Sequence, residues 1–348
     1  MTHIAELAGI LVLSSIFVRI ARWGALKRIL VDVPNERSMH RQPVPRLGGA
    51  AFVPIVVLAI AFLSDRSAIS PAIFRIFLLG AIALFGIGLF DDVASQPPGF
   101  RMAVHLMVAG SIVWAVAIST GFRWAWLPPL SALSLSFWLL IFWIIGLVNI
   151  FNFMDGIDGI AGMQAVVAGA GWWIIGSIVS APFTAFVGAA IAFGSLGFLT
   201  LNWPPAKIFM GDAGSTVLGY LLATLPLLAT VESKGVFPAE LLMAAAVMAV
   251  WPFLADGTFT ILRRLMRREN IFKPHRSHLY QRLVAAGKSH RLVTCTYASL
   301  ALLGSLFALG LVRQMPFALV ASLVFLGIAF CLLWGWTVRS EKSCEVDR

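Results

Sequence analysis

The chain has 348 residues, 59% of them hydrophobic and only 12% charged, with a mean hydropathy of +0.90. These values exclude a soluble multidomain protein and describe a polytopic membrane protein, for which length does not count domains. A net charge of +10 does not make a nucleic-acid binder of so sparsely charged a chain; the question is which membrane face carries the Lys and Arg. Cys295, Cys331 and Cys344 are too few and too scattered for a disulfide framework or a zinc site, and read as ordinary thiols.

Apolar runs long enough to cross a hydrocarbon core of about 30 Å fall near 4–21, 47–64, 72–90, 102–119, 132–150, 160–179, 183–201, 214–231, 239–261, 292–312 and 317–337. The expected fold is therefore all-α, a single domain over 1–348 of about 11 transmembrane helices. Arg19, Arg22, Lys27 and Arg28 follow the first run instead of preceding it, which suits a membrane helix and not a cleavable signal peptide. An odd number of spans sets the termini on opposite sides. One face then takes every Lys and Arg except Arg66, Arg75, Arg123, Lys234 and Arg313. The positive-inside rule makes that face cytoplasmic, with the N-terminus periplasmic and the C-terminus cytoplasmic.

Every polar cluster suited to chemistry falls on the same side, in loops of about 22–46, 91–101, 149–159, 202–213 and 262–291. The first carries Asn35, Arg37, Ser38, His40, Arg41 and Arg46 between prolines, an extended segment whose donors suit phosphate or, equally, anionic lipid headgroups. Asp91 and Asp92 are adjacent at a membrane boundary. They repel each other unless a cation sits beside them, so they suit a divalent metal, or else form a water-facing helix end. Arg101 follows as a phosphate ligand or a membrane anchor.

Asn149, Asn152 and Asp155 share a spacing of three, placing them along one face of a helix that ends near Gly156, with Asp158 in the turn beyond. Buried amides and carboxylates between two apolar segments need partners, although Asn, Asp and Gly are also ordinary turn residues. The segment from Asn202 to Gly219 places Phe209, an aromatic face for a base, before the helix start Gly211-Asp212-Ala213-Gly214-Ser215. That start offers amide groups to an anion and the Asp212 carboxylate to a metal. Asp256 lies late in the ninth span, a short way before Arg263 and Arg264, and is expected to pair with one of them, with a direct ligand role as the alternative. His275, Arg276, His278 and Arg282 cluster late in the chain; without a third Cys or His they suit phosphate better than zinc. Carboxylates with Arg and His at one membrane face point to Mg²⁺, a diphosphate and phosphoryl transfer.

The motifs Asp32-x-Pro-Asn-x-Arg-Ser-x-His, Asp91-Asp92, Asn149-x-x-Asn-x-x-Asp-Gly-Ile-Asp-Gly, Gly211-Asp-x-Gly-Ser-x-x-Leu-Gly and His275-Arg-Ser-His-x-Tyr-Gln-Arg occur in that order. By them the chain resembles the polyprenyl-phosphate N-acetylhexosamine-1-phosphate transferases, a family that includes the phospho-N-acetylmuramoyl-pentapeptide translocase. The His-Arg-Ser-His form is similar to the branch that initiates O-antigen, lipopolysaccharide and exopolysaccharide synthesis. Ser95, where the translocase has a Lys after its aspartate pair, weighs against the muramoyl-pentapeptide alternative.

The resemblance implies transfer of an N-acetylaminosugar 1-phosphate from a UDP-sugar to undecaprenyl phosphate in the bacterial inner membrane, with release of UMP and with Mg²⁺, or Mn²⁺ in its place, required. It implies that Asp212, Asp91 and Asp92 hold the metal, with Asp91, Asp92, Asp155 and Asp212 as the catalytic carboxylates. It places Asn149, Asn152, Asp158 and Asn202 at the nucleotide sugar, Phe209 near the uracil, and His275, Arg276, His278, Arg37, His40, Arg46 and Arg101 at phosphates. Lipids and a second copy of the chain are the other partners it allows, with no nucleic acid. A transporter remains as a different class, but it calls for repeated halves and mid-span ionisable groups, and only Asp256 comes near that. A non-catalytic lipid-binding scaffold explains the basic face and leaves the carboxylates without a purpose.

Overall fold

A computed structural model describes residues 4–25, 31–32, 43–62, 69–120, 134–234, 236–270 and 275–346. Twelve helices run through these residues: α1 (Ile4–Ala25), α2 (Gly48–Ala61), α3 (Pro71–Val93), α4 (Pro98–Thr120), α5 (Leu135–Phe153), α6 (Ile160–Ile178), α7 (Pro182–Asn202), α8 (Asp212–Glu232), α9 (Ala239–Met266), α10 (Leu279–Ala285), α11 (His290–Val312) and α12 (Ala318–Val346). Among the described residues the strand content is one two-residue antiparallel pair, β1 (Val31–Asp32) and β2 (Val44–Pro45). An all-α chain was the expectation, and ten of these helices are long and apolar enough to cross a membrane.

The second expected span, 47–64, differs. The helix α2 has 14 residues, about 21 Å at 1.5 Å per residue, short of a hydrocarbon core of about 30 Å. Its start is fixed by backbone pairing, which a hydropathy window cannot see. The Gly48 and Gly49 amides donate to the Phe209 and Met210 carbonyls at 2.8 and 2.7 Å, and the Phe209 amide donates to the Pro45 carbonyl at 2.7 Å. At Gly49 the backbone of Gly214 is so close that no Cβ would fit, so the two helix starts cross at glycine.

The centre of the bundle is α8, with 89% of its span buried, followed by α7; the outermost helix is α12, with 17%. Helix α8 packs against α5, α3 and α2, and α7 against α6 and α1. Ser70, Ser134 and Ser289 cap α3, α5 and α11 by accepting from the Ile73, Phe137 and Leu292 amides, as Ser does where four amides begin a helix unpaired. Because consecutive spans alternate in direction, the segments 94–97, 154–159, 203–211 and 267–289 gather at one end of the bundle. The candidate residues among those described lie in or beside these segments.

Candidate active site

The N-terminus of α8 organises the site. Gly211 precedes it with φ +75°, a left-handed conformation that favours glycine, and a Cβ there would meet Asp92 Oδ2 at 2.6 Å. That close approach lets Asp92, from the end of α3, accept the Asp212 and Ala213 amides at 2.8 and 3.0 Å. The anion expected at this helix start is thus a side chain of the protein itself, held by the partial positive charge of the helix end.

Two guanidinium groups close the cluster. Arg46 reaches Asp92 at 3.3 Å and Asp212 at 2.8 Å. Arg101, from the first turn of α4, reaches Asp91 at 2.8 Å and Asp212 at 3.4 Å. The other Asp91 oxygen accepts the Gln96 amide at 2.6 Å. The repulsion expected between Asp91 and Asp92 is therefore relieved by arginines and amides. Asp92 is 2% exposed at its side chain, whereas Arg46 is 41% and Arg101 33% exposed; the carboxylates are fixed and their counter-ions face outward.

The helix α5 delivers the remaining polar groups. It ends at Phe153, so Asn149 and Asn152 lie on it and Asp155 lies just past it. Asn149 donates to the Ile145 carbonyl at 2.7 Å, and its nitrogen lies 3.4 Å from His105 Nδ1. Asn152 donates to Ser215 Oγ at 3.0 Å, which ties α5 to the first turn of α8. Asp155 is different. No donor among the described residues reaches its carboxylate, and burial pushes it up to about 7, against the nearby charge of Arg46 and with Asp212 and Asp92 adding to the rise. A carboxyl so placed changes charge near neutrality and is open to an incoming ligand.

Other candidates are turned inward. Asp158 accepts the Ala206 amide at 3.0 Å and sits 3.2 Å from His290 Nδ1. Asn202 accepts the Gly159 amide at 3.0 Å and donates to the Ile208 carbonyl at 2.8 Å. Together they pin the α5–α6 turn to the α7–α8 segment. Phe209 is half-buried beside Gly48. His278 is buried, its Nδ1 3.3 Å from Asp256. His275 is half-buried and Arg276 exposed. His275 Nδ1 takes the Ser277 amide at 3.4 Å and lies 2.9 Å from Ser277 Oγ, which leaves the ring proton on Nε2. Partial burial, His278 and the arginines 263 and 264 hold His275 down at about 4, so it is neutral at physiological pH. Arg37 and His40 lie outside the described residues.

Asp256 corrects an expectation. It does not pair with Arg263 or Arg264; it accepts from the Leu279 and Tyr280 amides and the Tyr297 hydroxyl. Arg263 instead donates to the Ser277 carbonyl and Arg264 to Glu269 and the Asn270 carbonyl. Sequence reasoning also passed over His105, His290 and Tyr297, and gave no side-chain role to Ser215 and Tyr280 within the motifs that contain them. Of these, His105 had a signal: it lies one turn after Arg101 on α4, facing Asn149.

Hard oxygen donors converge here, as Mg²⁺ needs, although among the described residues no three acidic, His or Cys side chains enclose an ion by themselves. Mg²⁺ is commonly held by one or two carboxylates plus water and substrate phosphates, so an open-sided set of Asp212 and Asp91 fits it.

Fold and site define a multi-pass membrane protein with a carboxylate and arginine cluster at one end of its central helix. Residues 74–230 match the family described as glycosyl transferase family 4. The chain is 30% identical to the probable undecaprenyl-phosphate N-acetylglucosaminyl 1-phosphate transferase of Bacillus subtilis, over 83% of this chain and 78% of that protein. It is 31% identical to the decaprenyl-phosphate N-acetylglucosaminephosphotransferase of Mycobacterium leprae, over 76% and 72%. It is 28% identical to the undecaprenyl-phosphate alpha-N-acetylglucosaminyl 1-phosphate transferase of Salmonella typhi, over 97% and 93%. The chain belongs to the polyprenyl-phosphate N-acetylhexosamine-1-phosphate transferases of glycosyl transferase family 4.

Proposed function

We propose that this enzyme transfers N-acetylglucosamine 1-phosphate from UDP-N-acetylglucosamine to undecaprenyl phosphate at the cytoplasmic face, releasing UMP. What carries the reading is the convergence of Asp91, Asp212, Arg46 and Arg101 at one point, in a chain whose relatives are named for N-acetylglucosaminyl 1-phosphate transfer to a polyprenyl phosphate. An oxygen of the lipid phosphate attacks the β-phosphorus of the donor, and the bond from that phosphorus to the oxygen bridging it to the α-phosphorus breaks as UMP departs. The attacking phosphate needs no general base, since a phosphate monoester loses its second proton at about pH 6.

The residues supply position and charge. Asp212 and Asp91 would hold Mg²⁺, with Asp92 behind them fixing Asp212 through the two helix amides. Mg²⁺, when bound, would offset the negative charge of the donor diphosphate. Arg46 and Arg101, the most exposed members of the cluster, are placed to exchange a carboxylate for a phosphate oxygen. Asn149 and Asn152 each leave Oδ1 unclaimed among the described residues, as acceptors for donor hydroxyls.

The test is UMP release by purified protein in detergent with undecaprenyl phosphate, Mg²⁺ and a panel of UDP-N-acetylsugars. Release with UDP-N-acetylglucosamine that needs both lipid and metal is the expected result. Release with another sugar alone, or with none from folded protein, overturns the donor assignment.

A further inference from the structure

Asp256 is a buried carboxylate that the reaction leaves without a role. It is 0% exposed, deep in α9 and nearly three turns from that helix's end. Its Oδ1 accepts the Leu279 amide at 2.8 Å, with Thr260 Oγ1 at 3.2 Å and His278 Nδ1 at 3.3 Å. Its Oδ2 accepts the Tyr297 hydroxyl at 2.6 Å and the Tyr280 amide at 3.1 Å. Five groups fill both oxygens, so Asp256 reaches neither a substrate nor a metal.

What Asp256 holds does lie at the site. The two amides belong to the first turn of α10, which directly follows His275, Arg276 and Ser277. Tyr280, in the same turn, donates its hydroxyl to the Phe153 carbonyl at 3.0 Å and packs so tightly on Gly156 that no Cβ would fit. Phe153 and Gly156 bracket Asp155. One buried carboxylate therefore ties the His275–Ser277 segment to the turn that carries Asp155. The far end of α10 is fixed separately, by Arg282 on Glu341 of α12 at 2.7 and 2.6 Å.

We propose that Asp256 is a positioning residue, which seats α10 so that the His275–Ser277 segment and the Asp155 turn keep one fixed spacing across the nucleotide sugar. The proposal rests on the donor assignment above. Without the carboxylate, two helix-start amides, a phenol and an imidazole lose their shared acceptor in an apolar interior, so α10 shifts and both donor-side elements shift with it. Helix α10 packs chiefly on α12, α11 and α9, so the proposal confines the effect of Asp256 to the donor side and leaves the acceptor lipid phosphate unaffected.

The experiment uses the full chain in detergent with Asp256→Asn and Tyr280→Phe. Asp256→Asn keeps the shape and loses one acceptor oxygen. Its KM for UDP-N-acetylglucosamine is expected to rise about tenfold, with the KM for undecaprenyl phosphate within about twofold of wild type. Exchange of the Leu279 and Tyr280 amides is expected to accelerate about a hundredfold while amides of α7 and α8 stay protected. Tyr280→Phe, which cuts only the link to Phe153, is expected to raise the donor KM about threefold; it carries the kinetic test if Asp256→Asn does not fold. Unchanged exchange at Leu279 and Tyr280, or equal changes in both KM values, overturns the proposal. Wild-type protein inert toward UDP-N-acetylglucosamine overturns the donor assignment instead, and the exchange rates still decide whether Asp256 seats α10.

Discussion

Asp256, inside α9, and Asp155, just past the end of α5, are both carboxylates in largely apolar surroundings, and the fold treats them oppositely. Asp256 is filled by five neighbours, whereas Asp155 is reached by no donor among the described residues and is pushed up to about 7 by burial. A carboxylate whose lone pairs are all taken by its own chain holds structure; one kept bare at a desolvation cost is held ready for something that arrives. The same contrast divides the rest of the site. Asp92, Asp158 and Asn202 are filled, while Asp91 and Asp212 face guanidinium groups that are themselves partly exposed.

If the contrast is sound, removing charge from the open side costs activity and not stability. The largest effect is expected for Asp212→Asn, which should lower UMP release about a thousandfold, the scale of losing a preorganised electrostatic contact; near-normal turnover would remove Asp212 from the metal site. Asp155→Asn is expected to slow turnover about a hundredfold while stabilising the protein, a pairing no filled carboxylate should give. The sign follows from the raised value. Between the ordinary 3.8 and about 7 the native state binds the proton more tightly than the unfolded chain, so this group's contribution to stability falls as pH rises through that window. The Asn variant should therefore melt a few degrees above wild type at pH 8, less far above it at pH 5, and together with it only below the ordinary 3.8; a lower melting temperature at pH 8 would show that Asp155 has a hidden partner. The smallest effect is expected for His275→Gln. A neutral imidazole with Nδ1 filled and its Nε2 proton bare is replaced by another neutral donor, so a loss of about fivefold, one ordinary hydrogen bond, is expected. NMR titration should find His275 neutral down to about 4; a value near 6.5 would make it a cationic phosphate ligand.

Much of the fold was legible because about 20 apolar residues are needed to cross a bilayer, and that demand is written locally. The start of α2 was not, since it depends on backbone pairing with Phe209 and Met210. The site was legible as a set of residues and not as a set of bonds. Asn149, Asn152 and Asp155 were spaced for one helix face, but nothing local says that the helix stops at Phe153. Nothing near Asp92 says that it caps a helix 120 residues away. Asp256 misled for the same reason: Arg263 and Arg264 are near in sequence, yet its partners lie on α10 and α11, 22 to 41 residues on, apart from Thr260.

The cap of Asp92 on α8 has a consequence for how the site meets salt. Because the helix end is already neutralised from within, the attraction for an anionic donor falls to Arg46 and Arg101, which hold carboxylates at 2.8 Å until it comes. On the proposed reading, binding would be an exchange of counter-ions, in which guanidinium groups pass from carboxylate to phosphate and the freed Asp91 and Asp212 would be left to hold a divalent cation. An exchange of that kind leaves the local charge nearly balanced at each stage. Donor affinity should accordingly fall only gently with ionic strength, far less than for a bare basic cleft of the same size.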